Sequence, residues 1–272
     1  MRKKILIGVA ALIAVDAFAN NLPTREEIEQ KDKEYLLKAG IDIPDTPEIR
    51  IVPANKYLAK KNLTNNQDDD FMATQVQNYL KMHSEQQKSG FVKIKEPRAK
   101  ELMELKQIAP IHLKKYKGVL SPTSTHLRPS INELKLAYTF VGVPESDMDK
   151  SIGISPYGVY KQIKNGDDGD GWDGAVQFFD KNGVGSCAFT EHNRKLAHSG
   201  VELIKELVSY EVDNKPTILL IKGTKETGYI YKLKWYDATF SRELECANSD
   251  YSPKLRADVI ELANRIEAYQ QS

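Results

Sequence analysis

The stretch AVQFFDKNGVGSCAFTEH, residues 175–192, decides the fold that the sequence predicts. Its two halves, 175–180 and 184–192, hold the apolar and aromatic side chains, and Lys181-Asn182-Gly183 stands between them. Asn and Gly tolerate the positive φ angles of tight turns, so this pattern predicts a β-hairpin. An antiparallel sheet in the C-terminal half of the chain follows from this hairpin.

Further strands are predicted on both sides of the hairpin. Residues 217–222 contain Ile-Leu-Leu-Ile, a run that suits a central, buried strand. Residues 229–236 and 240–246 alternate apolar and polar side chains, which predicts two half-buried strands. Residues 134–143 form another candidate strand upstream.

Two helices are predicted among these strands. Ser199-Gly-Val-Glu202 matches the capping box Ser-x-x-Glu and predicts the start of a helix. The apolar face of this helix would hold Val201, Ile204, Leu207 and Val208. A second helix runs from Pro253 to about Tyr269, with apolar residues at helical spacing at Leu255, Val259, Leu262 and Ile266. Because strands outnumber helices, we expect an α+β fold, a mainly antiparallel sheet with helices packed on one face.

Residues 20–130 predict a helical, proline-punctuated N-terminal region that is partly extended. Thr24-x-x-Glu27 is a capping box that opens a short helix, which ends at Gly40. Residues 41–53 contain three prolines and predict an extended connection rather than an element. Such a region is poorly able to bury its own apolar surface.

Two longer helices are expected later in this region, over Asp70 to about Lys88 and from about Pro97. The second should bury its apolar residues before Pro110 kinks or ends it. These residues are Leu102, Leu105 and Ile108. Residues 121–130 predict a linker to an α+β domain over 131–272.

Residues 1–19 predict a cleavable secretory signal. Three basic residues at positions 2–4 precede an uncharged run over 5–15, and Ala17-Phe18-Ala19 supplies the small-x-small cleavage pattern. The run is too short to cross a bilayer, which takes about 20 apolar residues. A buried N-terminal helix would not explain the order of these features. We therefore expect a periplasmic or otherwise extracytoplasmic protein, without a transmembrane segment after cleavage.

The charge balance argues against nucleic-acid binding. The chain has 272 residues with 39 Lys and Arg against 38 Asp and Glu, and removal of residues 1–19 leaves 36 against 37. Dedicated nucleic-acid binders show a strong basic excess. Charge is nevertheless segregated, with eight basic and three acidic residues over 91–117, and three basic and seven acidic over 145–173. This separation either steers a partner or marks two ordinary solvated faces.

Cys187 and Cys246 are the two cysteines of the chain. In an exported protein an even number of cysteines predicts a disulfide. Each shares a strand face with an apolar neighbour, Phe189 or Leu244, so both should point into the core. A catalytic thiol is the competing interpretation, and oxidation in the expected compartment disfavours it.

The most acidic segment is NGDDGDGWDG, residues 165–174. Carboxylates can wrap Ca²⁺, which takes six to eight oxygen ligands. The calcium candidates are Asp167, Asp168, Asp170 and Asp173. The EF-hand pattern fails, because its fifth position falls on Trp172 and no Glu stands at the twelfth. An acidic loop before a strand is the simpler interpretation, and we expect no metal or cofactor.

Glu191, His192 and His198 lie close together in sequence, and one carboxylate with two imidazoles has acid–base potential. Their spacing does not match a zinc site, and a surface or capping role is the alternative. The chain has no Gly-x-Ser-x-Gly elbow or Walker loop, and no Gly-x-Gly-x-x-Gly that opens a predicted helix as a dinucleotide fingerprint does. Aromatic residues that could stack on cell-wall glycan, unless they belong to the core, are Tyr229, Tyr231 and Trp235.

Together these features favour contact over catalysis. We expect a non-enzymatic exported envelope protein that binds other envelope proteins, as an accessory or structural subunit of an assembly such as a secretion system. The alternatives are an exported hydrolase that uses the acidic loop or the Glu/His group, and a secreted effector.

Overall fold

The computed structural model describes residues 31, 34, 48–62, 67–116, 120–161 and 170–270. The predicted signal at 1–19 and the capping box at 24–27 lie outside these ranges. In chain order the elements are β1 (Ile49–Val52), α1 (Ala54–Asn62), α2 (Gln67–Ser89), β2 (Val92–Lys93), α3 (Pro97–Tyr116), β3 (Lys150–Lys161), β4 (Gly171–Lys181), β5 (Gly185–Asn193), β6 (Val201–Ile204), β7 (Val208–Val212), β8 (Lys215–Thr224), β9 (Gly228–Tyr236), β10 (Phe240–Asn248) and α4 (Pro253–Gln270).

One large sheet organises the molecule. Six antiparallel strands run in the order β8-β9-β10-β5-β4-β3. The outer side of β8 is shared by β7, which is antiparallel, and by the short parallel strand β2. Strands β1 and β6 form a separate parallel pair. The predicted α+β class and the mainly antiparallel sheet are thereby confirmed.

The hairpin that the sequence predicts is β4–β5. Its turn contains Asn182 and Gly183, and Gly183 adopts a positive φ of 79°. The strands predicted at 217–222, 229–236 and 240–246 correspond to β8, β9 and β10, and the helix predicted from Pro253 is α4. These segments fold as predicted because their apolar periodicity matches the face that they bury.

Helices cover both faces of the sheet, so the prediction that helices pack on one face is wrong. On one face α4 buries Val259, Leu262 and Ile266 against the inward residues of β5, β9 and β10. On the other face α3 packs Ala99 and Leu102 against a second set of strand residues, Ala188, Ile230 and Ala247. Because these small or apolar residues alternate with the first set along each strand, both faces can hold a helix.

Cys187 and Cys246 form the predicted disulfide. They are direct partners in the pairing of β5 with β10, their Cα atoms are 4.1 Å apart, and both side chains are fully buried. The bond closes a loop over a sequence separation of 59 and joins two central strands beneath α4.

The pairing of β8 has a break that a side chain fills. Strand β7 pairs with β8 as far as Ile218, and β2 begins at Lys222. In the gap, the buried Gln86 amide donates to the Leu219 carbonyl at 3.0 Å and accepts from the Ile221 N–H at 2.6 Å. Helix α2 is thereby attached to the sheet at two backbone groups that no strand reaches.

The N-terminal elements contribute to this fold in ways that the sequence did not reveal. Residues 49–52, predicted as a connection, form β1 and pair with β6. Helix α3 continues past Pro110 to Tyr116 and buries Ala109, whereas Ile108, which was expected in the core, is 41% exposed. A cluster of side chains from α1, α2 and the β6–β7 segment packs beside them: Ala54, Tyr57, Val76, Ile204 and Leu207.

Three further predictions are corrected. The capping-box helix at 199–208 is instead β6, a short 3₁₀ turn and the start of β7, because its backbone pairs with β1 and β8. Residues 134–143 are irregular, and Leu136 makes only an isolated bridge to Trp172. The predicted linker at 121–130 is fixed by the buried Arg128, whose guanidinium donates to the carbonyls of Ser121, Ser124 and His126.

Among the described residues, no helix is long and apolar enough to cross a membrane.

Candidate functional site

The residues of the predicted Glu191/His192/His198 group face different surroundings. Glu191 and His192 are consecutive in β5, so their side chains leave the sheet on opposite sides. Glu191 is buried opposite Arg242 of β10, whereas His192 is half-buried beside Tyr157. His198 lies in the turn after β5 with a positive φ of 48°. The structure therefore does not assemble these three residues into one acid–base group.

Glu191 belongs to a buried ionic network around Arg242. The guanidinium contacts three carboxylates, Glu191 at 2.8 Å, Asp237 at 2.6 Å and Glu267 at 3.3 Å. Glu267, on α4, also accepts from Trp235 Nε1 at 2.6 Å. This network joins the strands β5, β9 and β10, the β9–β10 turn and α4, which is a structural role.

The electrostatics of the network differ from one carboxylate to the next. Burial raises the pKa of Glu191 above its ordinary value, against the attraction of Arg242, and Glu191 Oε1 has no hydrogen-bond partner among the described atoms. Burial also acts on Asp237, but N–H donors from Phe240 and Thr239 and the Arg242 charge outweigh it and lower its pKa. Arg242 thus pairs with two carboxylates, Glu191 and Asp237, whose pKa values are shifted in opposite directions.

The sequence contained a signal for this network that was missed. Arg242 occupies an inward position of an alternating strand, on the face that carries Leu244 and Cys246. Glu267 directly follows Ile266 on the buried side of α4. A charged residue at a core position of a periodic element indicates a buried partner, but the identity of that partner depends on tertiary contacts.

A second polar group lies at the end of β3, where Asp173 lies beside His192. The buried Asp173 accepts from the Val159 N–H at 2.8 Å, and its Oδ1 lies 3.4 Å from His192 Nε2. Gly158, with φ at 78°, permits this approach, because a Cβ there would stand 1.9 Å from Asp173 Oδ1. The Tyr157 ring packs edge-on against the imidazole, with centroids 5.4 Å apart.

Around this group, part of the sheet is not covered by a helix core. Helix α3 packs on Ala188, Ile230 and Ala247, further along the strands. Towards the C-terminal end of β3, Tyr157 is 46% exposed and Val159 is 60% exposed. We call Tyr157, Val159 and His192 the β3 patch. It combines an aromatic ring and an aliphatic side chain of β3 with an imidazole of β5 that packs against the ring.

The calcium candidates do not form a site among the described residues. Asp167 and Asp168 lie outside the described ranges. Asp170 pairs with Lys135, and Asp173 is held by Val159 and His192. Within the described part of the chain, no three His, Cys, Asp or Glu side chains are grouped as a metal ion requires.

The aromatic candidates for glycan stacking are core residues. Tyr229, Tyr231 and Trp235 are buried on the face of β9 that α4 covers. Tyr231 donates its hydroxyl to the Asp250 carbonyl, at 3.2 Å. None of these three rings presents a face to solvent on which a sugar could stack.

Two clefts lie away from all of these residues. The larger, about 610 Å³, opens between α1, α2 and the β6–β7 segment, where Asn55, His83, Gln87, Lys205 and Glu206 line it. The smaller, about 360 Å³, lies between the end of α3 and the segment after it, lined mainly by Leu113, Tyr116, Leu120, Leu127 and Pro129. Neither contains a residue that the sequence analysis proposed as a site.

No known protein family, curated protein or solved structure matches this chain.

Proposed function

We propose that this chain is a non-enzymatic, exported protein of the cell envelope that acts by binding another envelope protein. In this proposal it is an accessory or structural subunit of an envelope assembly, such as a secretion system. The order of basic, apolar and small residues over 1–19 supports export. The Cys187–Cys246 disulfide is compatible with an oxidising compartment.

The β3 patch is the observation that carries the binding role. Tyr is enriched at the centres of protein interfaces, where its ring buries a large area at low entropic cost. Tyr157 and Val159 are exposed on an edge strand, and the Tyr157 ring packs against the His192 imidazole. Exposed apolar side chains on a rigid strand suit contact with a partner.

Photo-crosslinking in cells that produce the full chain tests this function. A crosslinking amino acid at position 157 or 159 should give a discrete adduct with an envelope protein. The same group at Gln77, which is exposed on α2, serves as the matched control. Two results together would refute the proposal. Neither position 157 nor position 159 would give a specific adduct, and the protein would stay in the cytoplasm with the mass of the uncleaved chain.

The His192–Asp173 contact favours one second candidate, an exported hydrolase. A carboxylate and an imidazole that lie 3.4 Å apart are residue types that take part in acid–base catalysis. In that case His192→Ala abolishes a hydrolytic activity while the fold persists, and Gln77→Ala, at an exposed position of α2, leaves the activity intact. Recovery of the protein from the medium rather than from envelopes would instead indicate a secreted effector.

A further inference from the structure

Helix α3 has two halves with different outward surfaces. In the N-terminal half, every basic side chain lies near a carboxylate: Arg98 near Glu101 and Glu245, Lys100 near Glu104, and Lys106 near Asp180. These contacts neutralise the half of the helix that packs across β5, β9 and β10. The charges of this half are thus compensated within the molecule.

The C-terminal half, residues 107–116, lacks this compensation. It contains no acidic residue, and Lys114 and Lys115 are exposed without a carboxylate within 4 Å among the described residues. Ile111 is 69% exposed and Ile108 is 41% exposed. We call residues 107–116 the α3 tip.

Helical geometry places these side chains together. Residues three and four positions apart are neighbours on a helix surface, so Ile108, Ile111 and Lys115 form one row, with Lys114 beside Ile111. Leu102 and Ala109 occupy the opposite, buried side. The tip therefore presents Ile111 away from the sheet, with Ile108 and Lys115 on one side of it. Lys114 lies on the other side, where it also lines the smaller cleft, as Glu133 does.

This combination fits a lipid surface better than a protein partner. Protein interfaces are enriched in Trp, Tyr and Arg and depleted in Lys. Helices that lie in the membrane interface pair apolar residues with lysines, which reach the phosphate groups while the apolar side chains enter the boundary of the acyl chains. The α3 tip is convex and has no aromatic or Arg anchor on its outward row.

We propose that the α3 tip docks onto the surface of a bilayer that contains anionic phospholipid. Ile108 and Ile111 enter the interface, and Lys114 and Lys115 pair with the negatively charged head groups. This is a peripheral contact, and it goes beyond the proposed function, because it names a lipid surface and uses a different face from the β3 patch.

Vesicle co-sedimentation of residues 20–272 tests the docking without reference to the compartment or to any protein partner. The apolar run at 5–15 is omitted because it would itself bind lipid. Vesicles of phosphatidylcholine with about 30% phosphatidylglycerol should bind the protein at low salt. Vesicles of pure phosphatidylcholine should bind it far less. Binding should weaken as salt screens the lysines.

Two double variants test the named side chains. Lys114→Gln with Lys115→Gln should lower the partition coefficient roughly 30-fold, at about 1 kcal/mol for each lysine near an anionic surface. Ile108→Ser with Ile111→Ser should lower it about tenfold or more at every salt concentration. All four side chains are exposed, so circular dichroism should show an unchanged fold.

Lys100→Gln with Lys254→Gln is the matched control, because it removes the same charge from two exposed positions elsewhere. Lys100 lies about 21 Å along the helix from Lys114, beyond the screening length of about 10 Å at 0.1 M salt. This control should retain most of the binding. Equal losses in the control and the tip variants would overturn the proposal. Equal binding to both vesicle types would also overturn it. So would a protein that dimerises through Ile108 and Ile111 and does not bind vesicles.

Discussion

The amide of Gln86 occupies the break in the pairing of β8, where it serves one backbone carbonyl and one backbone N–H. A buried polar group that loses its partner costs about 1–3 kcal/mol. Gln86→Leu should therefore lower the free energy of unfolding by about 2–5 kcal/mol, measured by urea denaturation. Gln77→Leu, at an exposed position of the same helix, should change it by less than about 0.5 kcal/mol. Equal effects of the two substitutions would contradict the role of the amide.

Two carboxylates near Arg242 should respond to pH in opposite directions. The pKa of Glu191 is raised by burial, so its contribution to stability is complete below the pKa of the unfolded chain, about 4, and is lost as the pH rises through the folded value. The pKa of Asp237 is lowered, despite its burial, by N–H donors and Arg242. The contribution of Asp237 is present above its unfolded pKa and is lost as the pH falls through the folded value.

Urea unfolding at a series of pH values should separate these two groups. Glu191→Gln should gain stability relative to the parent protein as the pH rises from 4 to 7. Asp237→Asn should be least harmful at the lowest pH and should lose stability relative to the parent as the pH rises to 5. If the free energy of unfolding of both variants followed the same pH dependence as the parent protein, the pKa shifts of Glu191 and Asp237 would not contribute to stability.

At the scale of elements, the disulfide joins β5 to β10, two neighbouring central strands. A closed loop of this length stabilises the folded chain by about 4 kcal/mol in the chain-entropy model. Cys187→Ala with Cys246→Ala should therefore reduce the free energy of unfolding by about that amount in urea. Because both sulfurs are fully buried, reductant alone should release no thiols from the native protein, and thiols should appear only with denaturant. Release in native buffer would indicate that these strands open locally.

The sequence predicted elements whose pattern is local and failed where pairing is long-range. The β4–β5 turn, the alternation in β9 and the period of α4 are visible within a few residues. Residues 150–161 hold glycines and Pro156 and show no clear alternation, yet they form β3 because they pair with β4 through two bulges. Residues 201–204 match a helical spacing, but pairing with β1, about 150 residues earlier in the chain, makes them a strand.

The candidate site could be predicted only in part for the same reason. His192 was identified from its residue type, but the carboxylate beside it, Asp173, was assigned to a metal loop. The close approach of the two depends on the bulge at Gly158, which no local pattern predicts. The residues of the α3 tip are visible in the sequence as apolar and basic, but only the packing of Ala109 shows which side faces outward.

At the scale of the whole molecule, N-terminal elements complete the C-terminal sheet. Helix α3 covers one face, Gln86 serves β8, and the Glu48 carbonyl accepts from the buried Arg194 at 3.0 Å. A fragment of residues 131–272 would expose this apolar face and leave these backbone groups unpaired. We expect it to aggregate or to unfold non-cooperatively, whereas residues 48–272 should unfold in one cooperative transition by calorimetry. A cooperative, monomeric fragment of 131–272 would show that the sheet is self-sufficient.

The completed edge of β8 has a consequence for the behaviour of the protein at high concentration. An open strand edge recruits the edge of another molecule, and repetition of that step builds fibrils. Here β7, the Gln86 amide and β2 occupy one margin of the sheet, and Pro156 and the bulge at Gly158 interrupt the other. Prolonged incubation of the concentrated protein should therefore yield little cross-β material, and loss of the Gln86 amide should shorten the lag before fibrils form.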